Sequence, residues 1–214
     1  MKSKQVLSIA LTKGRLENSA VKRLEASGLD CSALKDKGRK LVIEIEDENA
    51  LLRFVFAKAA DTVTYVEYGV CDLGIVGRDT LLEAGQRQVY ELADLGFGAC
   101  RFALAAPEGK DVLGGYGTKV IASKYPAVAR KFFEEKNMDV SIVRIEGSVE
   151  LAPLLGLADG IIDLVETGAT LRENGLAVLE YGADVSARLI AGTAALKLKK
   201  AAVDAFRNRL ECAE

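Results

Sequence analysis

The sequence predicts an α/β protein built on largely parallel sheet. Two observations carry that reading. Short apolar runs of strand length recur along all 214 residues, and most lead into a segment with helical spacing of its apolar residues. Half the residues are hydrophobic and 28% are charged, the balance of a soluble globular chain with a sizeable core. Strand–helix alternation places helices on the faces of a sheet, and 214 residues suit one or two domains.

The elements follow in order. Gln5–Leu11 reads as a buried strand, 13–15 as a loop, and a helix runs on to about Ser27 with Gly28 at its C-terminus. Lys40–Ile45 and Leu51–Ala57 alternate around a polar turn and predict a hairpin. Thr62–Tyr68 reads as a short helix closed by Gly69, Asp72–Val76 as a strand, and Arg78–Ala84 as a helix. Val89–Leu95 and Cys100–Ala106 are strands flanking the turn Gly96-Phe97-Gly98. The glycine-rich stretch 109–117 is a loop.

A second alternating block begins at strand Lys119–Ala122. Helix Tyr125–Lys136 has Pro126 in its first turn, where a proline costs no hydrogen bond. Strand Val140–Ile145 precedes a helix opening at Ser148, with Leu151, Leu154 and Leu155 on its apolar side. Strand Gly160–Val165 leads into helix Thr167–Asn174, and strands Leu176–Tyr181 and Val185–Ile190 follow. The last helix, about Thr193–Glu211, sets Leu198, Ala202, Ala205, Phe206 and Leu210 on one face.

Composition excludes several functions. Lys and Arg total 29 against 31 Asp and Glu, a net charge of −2, which argues against a dedicated nucleic-acid binder. There is no histidine, so triad and Cys-His catalysis and histidine metal sites are ruled out. Four scattered cysteines without a CxxC read as reduced cytosolic thiols. No apolar run is long enough to span a membrane, and the N-terminal stretch lacks the pattern of a signal peptide; a cytoplasmic location is expected.

The sharpest chemical signal is Ile161–Leu171, IIDLVETGATL. An apolar strand enters Thr167-Gly168-Ala169-Thr170 and then a helix. Backbone N–H groups and the helix dipole favour a phosphate there, Gly168 permits close approach, and the two hydroxyls add donors. Asp163 and Glu166 lie just upstream; a carboxylate repels phosphate but accepts hydrogen bonds from ribose hydroxyls. The combination suggests a sugar phosphate. TGxT alone is weak, since a threonine N-cap on an ordinary helix gives the same letters.

The stretch Gly147–Leu176, GSVELAPLLGLADGIIDLVETGATLRENGL, resembles the ATP phosphoribosyltransferase family. The resemblance extends to Thr12–Leu16, to Tyr65–Asp79 (YVEYGVCDLGIVGRD) and to Asp94–Arg101 (DLGFGACR), and so covers most of the chain. It implies an α/β, two-domain type II periplasmic-binding-protein-like architecture with mixed, largely parallel sheets and a central cleft. Residues 1–93 with 180–214 would form domain I, and 94–179 domain II. The chain ends one helix beyond Leu189, which suits the short form, lacking the long form's extra C-terminal domain. That form works as a homodimer within a larger hetero-oligomer, with a regulatory subunit related to histidyl-tRNA synthetase. The isolated chain is therefore expected to respond weakly or not at all to histidine.

The implied reaction joins ATP to 5-phosphoribosyl 1-pyrophosphate (PRPP), with Mg²⁺ carried by the substrates and no protein-only metal site. By resemblance, Thr167, Gly168, Ala169 and Thr170 hold the 5′-phosphate and Asp163 the ribose hydroxyls. Glu166 either joins Asp163 or faces solvent. Lys13, Gly14 and Arg15 follow the first strand, where open α/β sheets bind ligands, and would meet pyrophosphate or ATP phosphates. Arg39 is a second candidate for pyrophosphate. Arg15, Arg39 and Asp163 are the expected catalytic residues. Gly77, Asp79 and Cys100 would shape the ATP side, although Asp79 equally suits a helix cap and Cys100 a core position. The segment Lys124-Tyr125-Pro126 reads as structural.

The chain departs from the family pattern at Val63, commonly proline, at Lys58, often arginine, and at Gly192-Thr193, commonly Asn-Arg. Three other functions compete with this one. A non-enzymatic small-molecule-binding protein of the same fold predicts a leader and no TGxT turn. A transferase acting on a free base predicts a different surround to that turn. A silent structural subunit does not require Asp163 and TGAT.

Overall fold

The computed structural model describes residues 5–47, 50–115 and 117–212. They divide into two compact units: the first closes at Gly98 and resumes at Ser186, and the second runs Ala99–Val185. The expected limits were 93/94 and 179/180. The chain instead crosses five or six residues later each way: strand Leu176–Val185 stays beside its neighbour past position 180, through two irregularities of register.

The first unit holds β1 (Gln5–Thr12), α1 (Arg15–Ala26), α2 (Ser32–Lys35), β2 (Val42–Glu46), β3 (Ala50–Ala57), α3 (Ala59–Glu67), β4 (Leu73–Gly77), α4 (Arg78–Ala84) and β5 (Val89–Asp94). Its sheet has the order β2-β3-β1-β4-β11-β5, where β11 (Ala187–Gly192) returns from the second unit. Parallel pairing joins β3, β1 and β4; the flanking strands are antiparallel. β1 is buried on both faces from Leu7 onward, which is why it reads as one apolar run rather than an alternation. Leu7, Ile9, Leu11, Leu24, Phe54, Phe206 and Leu210 pack on one face; Ala10, Val63, Val66, Val76 and Ile190 pack on the other.

The second unit holds β6 (Cys100–Pro107), β7 (Lys119–Ser123), α5 (Pro126–Glu134), β8 (Val140–Arg144), α6 (Leu151–Leu154), β9 (Gly160–Val165), α7 (Ala169–Glu173) and β10 (Leu176–Val185). Its sheet order is β10-β6-β9-β7-β8, with β9, β7 and β8 parallel. Ala103, Ala105, Ala122, Ile161 and Val165 form one apolar face with Val149, Ala152 and Leu171. The Phe102 ring meets Tyr125, just before α5, edge-on at 5.1 Å.

Three expectations change. α3 starts at Ala59, three residues early. α6 is a single turn, with Pro153 in its middle and Gly156 behind it. Its expected apolar side is outward: Leu151, Leu154 and Leu155 are exposed, while the small residues Ala152 and Pro153 are buried. The last helix is two, α8 (Thr193–Leu198) and α9 (Lys200–Glu211). Lys199 leaves helical geometry at the join, and its ammonium donates to the Val6 carbonyl and to Asp72 Oδ2, at 2.8 and 2.7 Å. The break resets the helical phase. Leu198 and Ala205 are exposed, and Ala195, Val203, Phe206 and Leu210 make the buried stripe. No helix among the described residues is long and apolar enough to cross a membrane.

Candidate functional site

Parallel strands gather loops at their carboxyl ends, and each unit has such an edge. In the first unit β1, β3 and β4 end together at Thr12, Ala57 and Gly77. Lys13, Gly14 and Arg15 leave this edge from β1, and the Lys13 amide donates to the Ala57 carbonyl at 2.8 Å. β2 runs antiparallel to β3, so its entry, where Arg39 lies, belongs to the same edge; the Phe56 amide donates to the Leu41 carbonyl. Lys13, Arg15 and Arg39 are exposed. The neighbouring Lys37 is held instead, by Glu17 and over the Phe56 ring.

Gly77 and Asp79 follow β4 on that edge. The Asp79 carboxyl folds back over Gly77, with Oδ1 2.1 Å from where a Cβ would stand. Only glycine leaves room for that placement. Asp79 lies in the first turn of α4, where its charge suits the dipole.

In the second unit β9 carries Asp163 and ends at Val165, and the segment 166–168 turns the chain into α7. Gly168 has φ 73°, a left-handed conformation that residues with a Cβ seldom adopt. The Thr167 hydroxyl accepts from the Ala169 amide, and Arg172 Nη1 donates to the Thr167 carbonyl, both at 3.3 Å. The first N–H groups of a helix have no intrahelical acceptor, so this turn presents donors outward. Glu166, Thr167, Ala169 and Thr170 are exposed, and Gly168 is partly so. Cys100 lies on the same edge: Arg101 pairs with Val165, which sets the half-buried Cys100 beside the end of β9.

Asp163 is half-buried on the face that α6 and α7 cover. Burial raises its carboxyl above the usual range; the Leu164 amide opposes this, the charge of Glu150 adds to it and that of Lys124 reduces it. Glu150 and Lys124 are the residues that motif reading missed. The sequence places Lys124 in a structural turn. Tyr125 and Pro126 do begin α5, but β7 is parallel to β9 with Ser123 opposite Ile162. β7 ends at Ser123, so Lys124 lies just past the paired strand, while Asp163 continues β9. No local signal gives that pairing, because 39 residues separate them. The Ser123 hydroxyl locks it, donating to the Ile162 carbonyl at 2.6 Å and accepting from the Tyr125 amide at 2.9 Å.

Among the described residues no group of three or more Cys, Asp or Glu side chains is placed to hold a metal. A Mg²⁺ ion here would keep phosphate oxygens and water as most of its ligands, the usual arrangement for that ion.

The two mixed sheets and the double crossing define an α/β protein of type II periplasmic-binding-protein-like fold. A sulfonate-binding protein from Methylobacillus flagellatus superposes with TM-score 0.67 at 15% identity, over 100% of this chain and 69% of that one. That likeness shows the fold alone. The HisG:HisZ ATP phosphoribosyl transferase complex of Thermotoga maritima gives TM-score 0.80 at 31% identity, over 97% and 98% of the two chains. ATP phosphoribosyltransferases of Clostridium kluyveri and Clostridium acetobutylicum are 49% and 52% identical, over 99% and 94% of this chain and 95% and 92% of theirs. The family model for HisG, ATP phosphoribosyltransferase, matches residues 58–212. The chain belongs to the ATP phosphoribosyltransferase family, pentosyltransferases whose reaction opens histidine biosynthesis.

Proposed function

We propose that the chain condenses ATP with PRPP through the residues at these two edges. The observation that carries the reading is the turn 166–170, with Gly168 left-handed and the half-buried Asp163 upstream on β9. Thr167, Gly168, Ala169 and Thr170 bind the 5′-phosphate through amides and hydroxyls. Asp163 accepts from the ribose hydroxyls, and Glu166 is the second acceptor. Lys13, Gly14, Arg15 and Arg39 bind the pyrophosphate and the ATP phosphates; Gly77, Asp79 and Cys100 border the ATP.

Adenine N1 attacks the anomeric carbon of PRPP as the bond to pyrophosphate breaks, and pyrophosphate leaves with the electron pair. N1 offers a lone pair and needs no base, so a chain without histidine is fully equipped. The burden on the protein is negative charge gathering on pyrophosphate. Arg15 and Arg39 would meet it as donors, and removing a donor of that kind costs about 3–4 kcal/mol of barrier. Mg²⁺ on the substrate phosphates supplies further neutralisation.

The partner is a regulatory subunit of the HisZ kind. This rests on the Thermotoga maritima complex and on the close match in length to the clostridial relatives. A homodimer is the expected core of that assembly. A cytoplasmic setting suits the four free cysteines.

Mass spectrometry of the full chain with ATP, PRPP, Mg²⁺ and pyrophosphatase tests the reading. Phosphoribosyl-ATP should form, and Arg15→Ala should slow it about 10²-fold or more. Folded protein that makes none, alone and with a HisZ partner, would overturn it.

A further inference from the structure

β1 and β4 separate at the edge where the first unit's phosphate-binding candidates lie. Their parallel pairing stops at Leu11 and Ile75. Beyond that level β1 stays with β3: Thr12 pairs with Ala57, and the Lys13 amide donates to the Ala57 carbonyl at 2.8 Å. β4 stays with β11 as far as Gly77, and the Arg78 amide donates to the Ser186 carbonyl at 3.0 Å. The loop 13–15 and the segment Gly77–Asp79 thus leave the sheet from two strands whose shared ladder has ended. The Thr12 side chain spans the opening. Its hydroxyl donates to the Ile75 carbonyl at 2.9 Å. Its oxygen lies 3.3 Å from that of Thr62, whose own hydroxyl donates to the Lys58 carbonyl at 3.1 Å. Thr12, Thr62 and Ile75 are all buried, where a polar group is costly unless it is bonded. Thr12 shares a sheet face with Ala10, which packs with Val63 and Val76, so packing alone would accept a valine there.

We propose that Thr12 is a positioning residue of the phosphate-binding edge, its hydroxyl holding the loop of Lys13, Gly14 and Arg15 in place against the Gly77–Asp79 segment. The inference rests on the assignment of these residues to pyrophosphate and the ATP phosphates, and deepens it. Buried Thr12 acts through Lys13 and Arg15, which follow it directly in the chain and are exposed. The two stretches lie close together: Leu16 Cδ1 is 3.5 Å from where a Cβ on Gly77 would stand. A displacement of about 1 Å from the productive geometry can cost about 10²-fold in rate, and a hydroxyl tether at the base of both stretches sets their placement before substrate arrives.

The test compares two variants of the full chain. Thr12→Val keeps the branched shape and removes the hydroxyl; Thr12→Ser keeps the hydroxyl and removes the methyl group. Each loses something from the core, so stability does not separate the readings, and both are measured folded, well below their thermal transitions. Titration calorimetry with Mg²⁺·pyrophosphate reads the edge, and amide hydrogen exchange reads the two stretches. Thr12→Val should weaken pyrophosphate binding about tenfold and speed exchange at 13–16 and 76–79, with exchange at the 166–170 turn unchanged. Thr12→Ser should restore both. A merely structural threonine would leave both folded variants with wild-type affinity, or harm both alike, and either result overturns the proposal. A wild-type chain that binds no Mg²⁺·pyrophosphate would count against the phosphate assignment itself. Exchange then still decides the role of Thr12: unchanged rates at 13–16 and 76–79 in Thr12→Val overturn it.

Discussion

Asp163 carries a conflict between folding and chemistry. Its carboxyl is raised by burial first and by Glu150 second, so the ionised form costs stability near neutral pH. The folded state binds the proton more tightly than the unfolded chain does. The penalty is complete above the folded titration and fades as pH falls through it. Asp163→Asn should raise Tm by about 2–4 °C at pH 7.5 while activity collapses, and calorimetry at descending pH should show that gain shrink. Gly192 is a different kind of constraint. A Cβ there would stand 2.6 Å from the Val66 carbonyl oxygen, which is backbone and cannot swing away. Gly192→Ala should cost about 1–3 kcal/mol in denaturant unfolding. The same contact explains why an asparagine does not fit at this place in this chain. Cys31 and Cys71 are pushed up to about 11, chiefly by burial, and remain unreactive thiols at neutral pH.

At the scale of elements, the readable features were those whose cause lies within a few residues. The apolar run of β1, the alternation of β2 and β3, and Pro126 opening α5 all come from local chemistry. The turn at 166–170 was legible for the same reason, since a glycine between threonines after an apolar strand states its own geometry. The α8–α9 break was not. Its cause is Lys199 meeting Asp72, 127 residues away, with the Ser8 amide as that carboxylate's other partner at 2.8 Å. Helical spacing of leucines misled at Leu198 and at Leu151–Leu155, because spacing cannot tell which face a short helix turns inward. The join supplies its own test. Lys199→Met leaves a mostly buried Asp72 without its cation and should cost about 1–3 kcal/mol, whereas Leu155→Ser, at a side chain 79% exposed, should change stability by less than about 0.5 kcal/mol.

At the scale of the whole molecule, each unit of the chain brings its own set of candidate residues to the carboxyl ends of its parallel strands. The first unit gathers Lys13, Arg15, Arg39 and Asp79, and the second gathers Asp163, Cys100 and the 166–170 turn. The motifs lie on separate stretches of the sequence; sheet register is what groups them within each unit. The crossings between the units are fixed on the first unit's side. The Ala187 amide donates to the Phe97 carbonyl and the Leu95 amide to that of Ala187, both at 2.9 Å, and the Ser186 hydroxyl donates to Asp94 Oδ1 at 2.6 Å. Burial alone would raise the Asp94 carboxyl, but hydrogen bonds from Ser186 and Gly96 and the charges of Arg188 and Arg78 bring it below the usual range. Its contribution to stability is present above the unfolded carboxylate range and is lost as pH falls through the lowered folded value. Titration calorimetry of Mg²⁺·PRPP into the full chain tests whether the second unit's turn binds PRPP. Asp163→Ala and Thr170→Ala should weaken binding tenfold or more, and Arg39→Ala should weaken it less; binding left unchanged by both Asp163→Ala and Thr170→Ala would overturn the assignment.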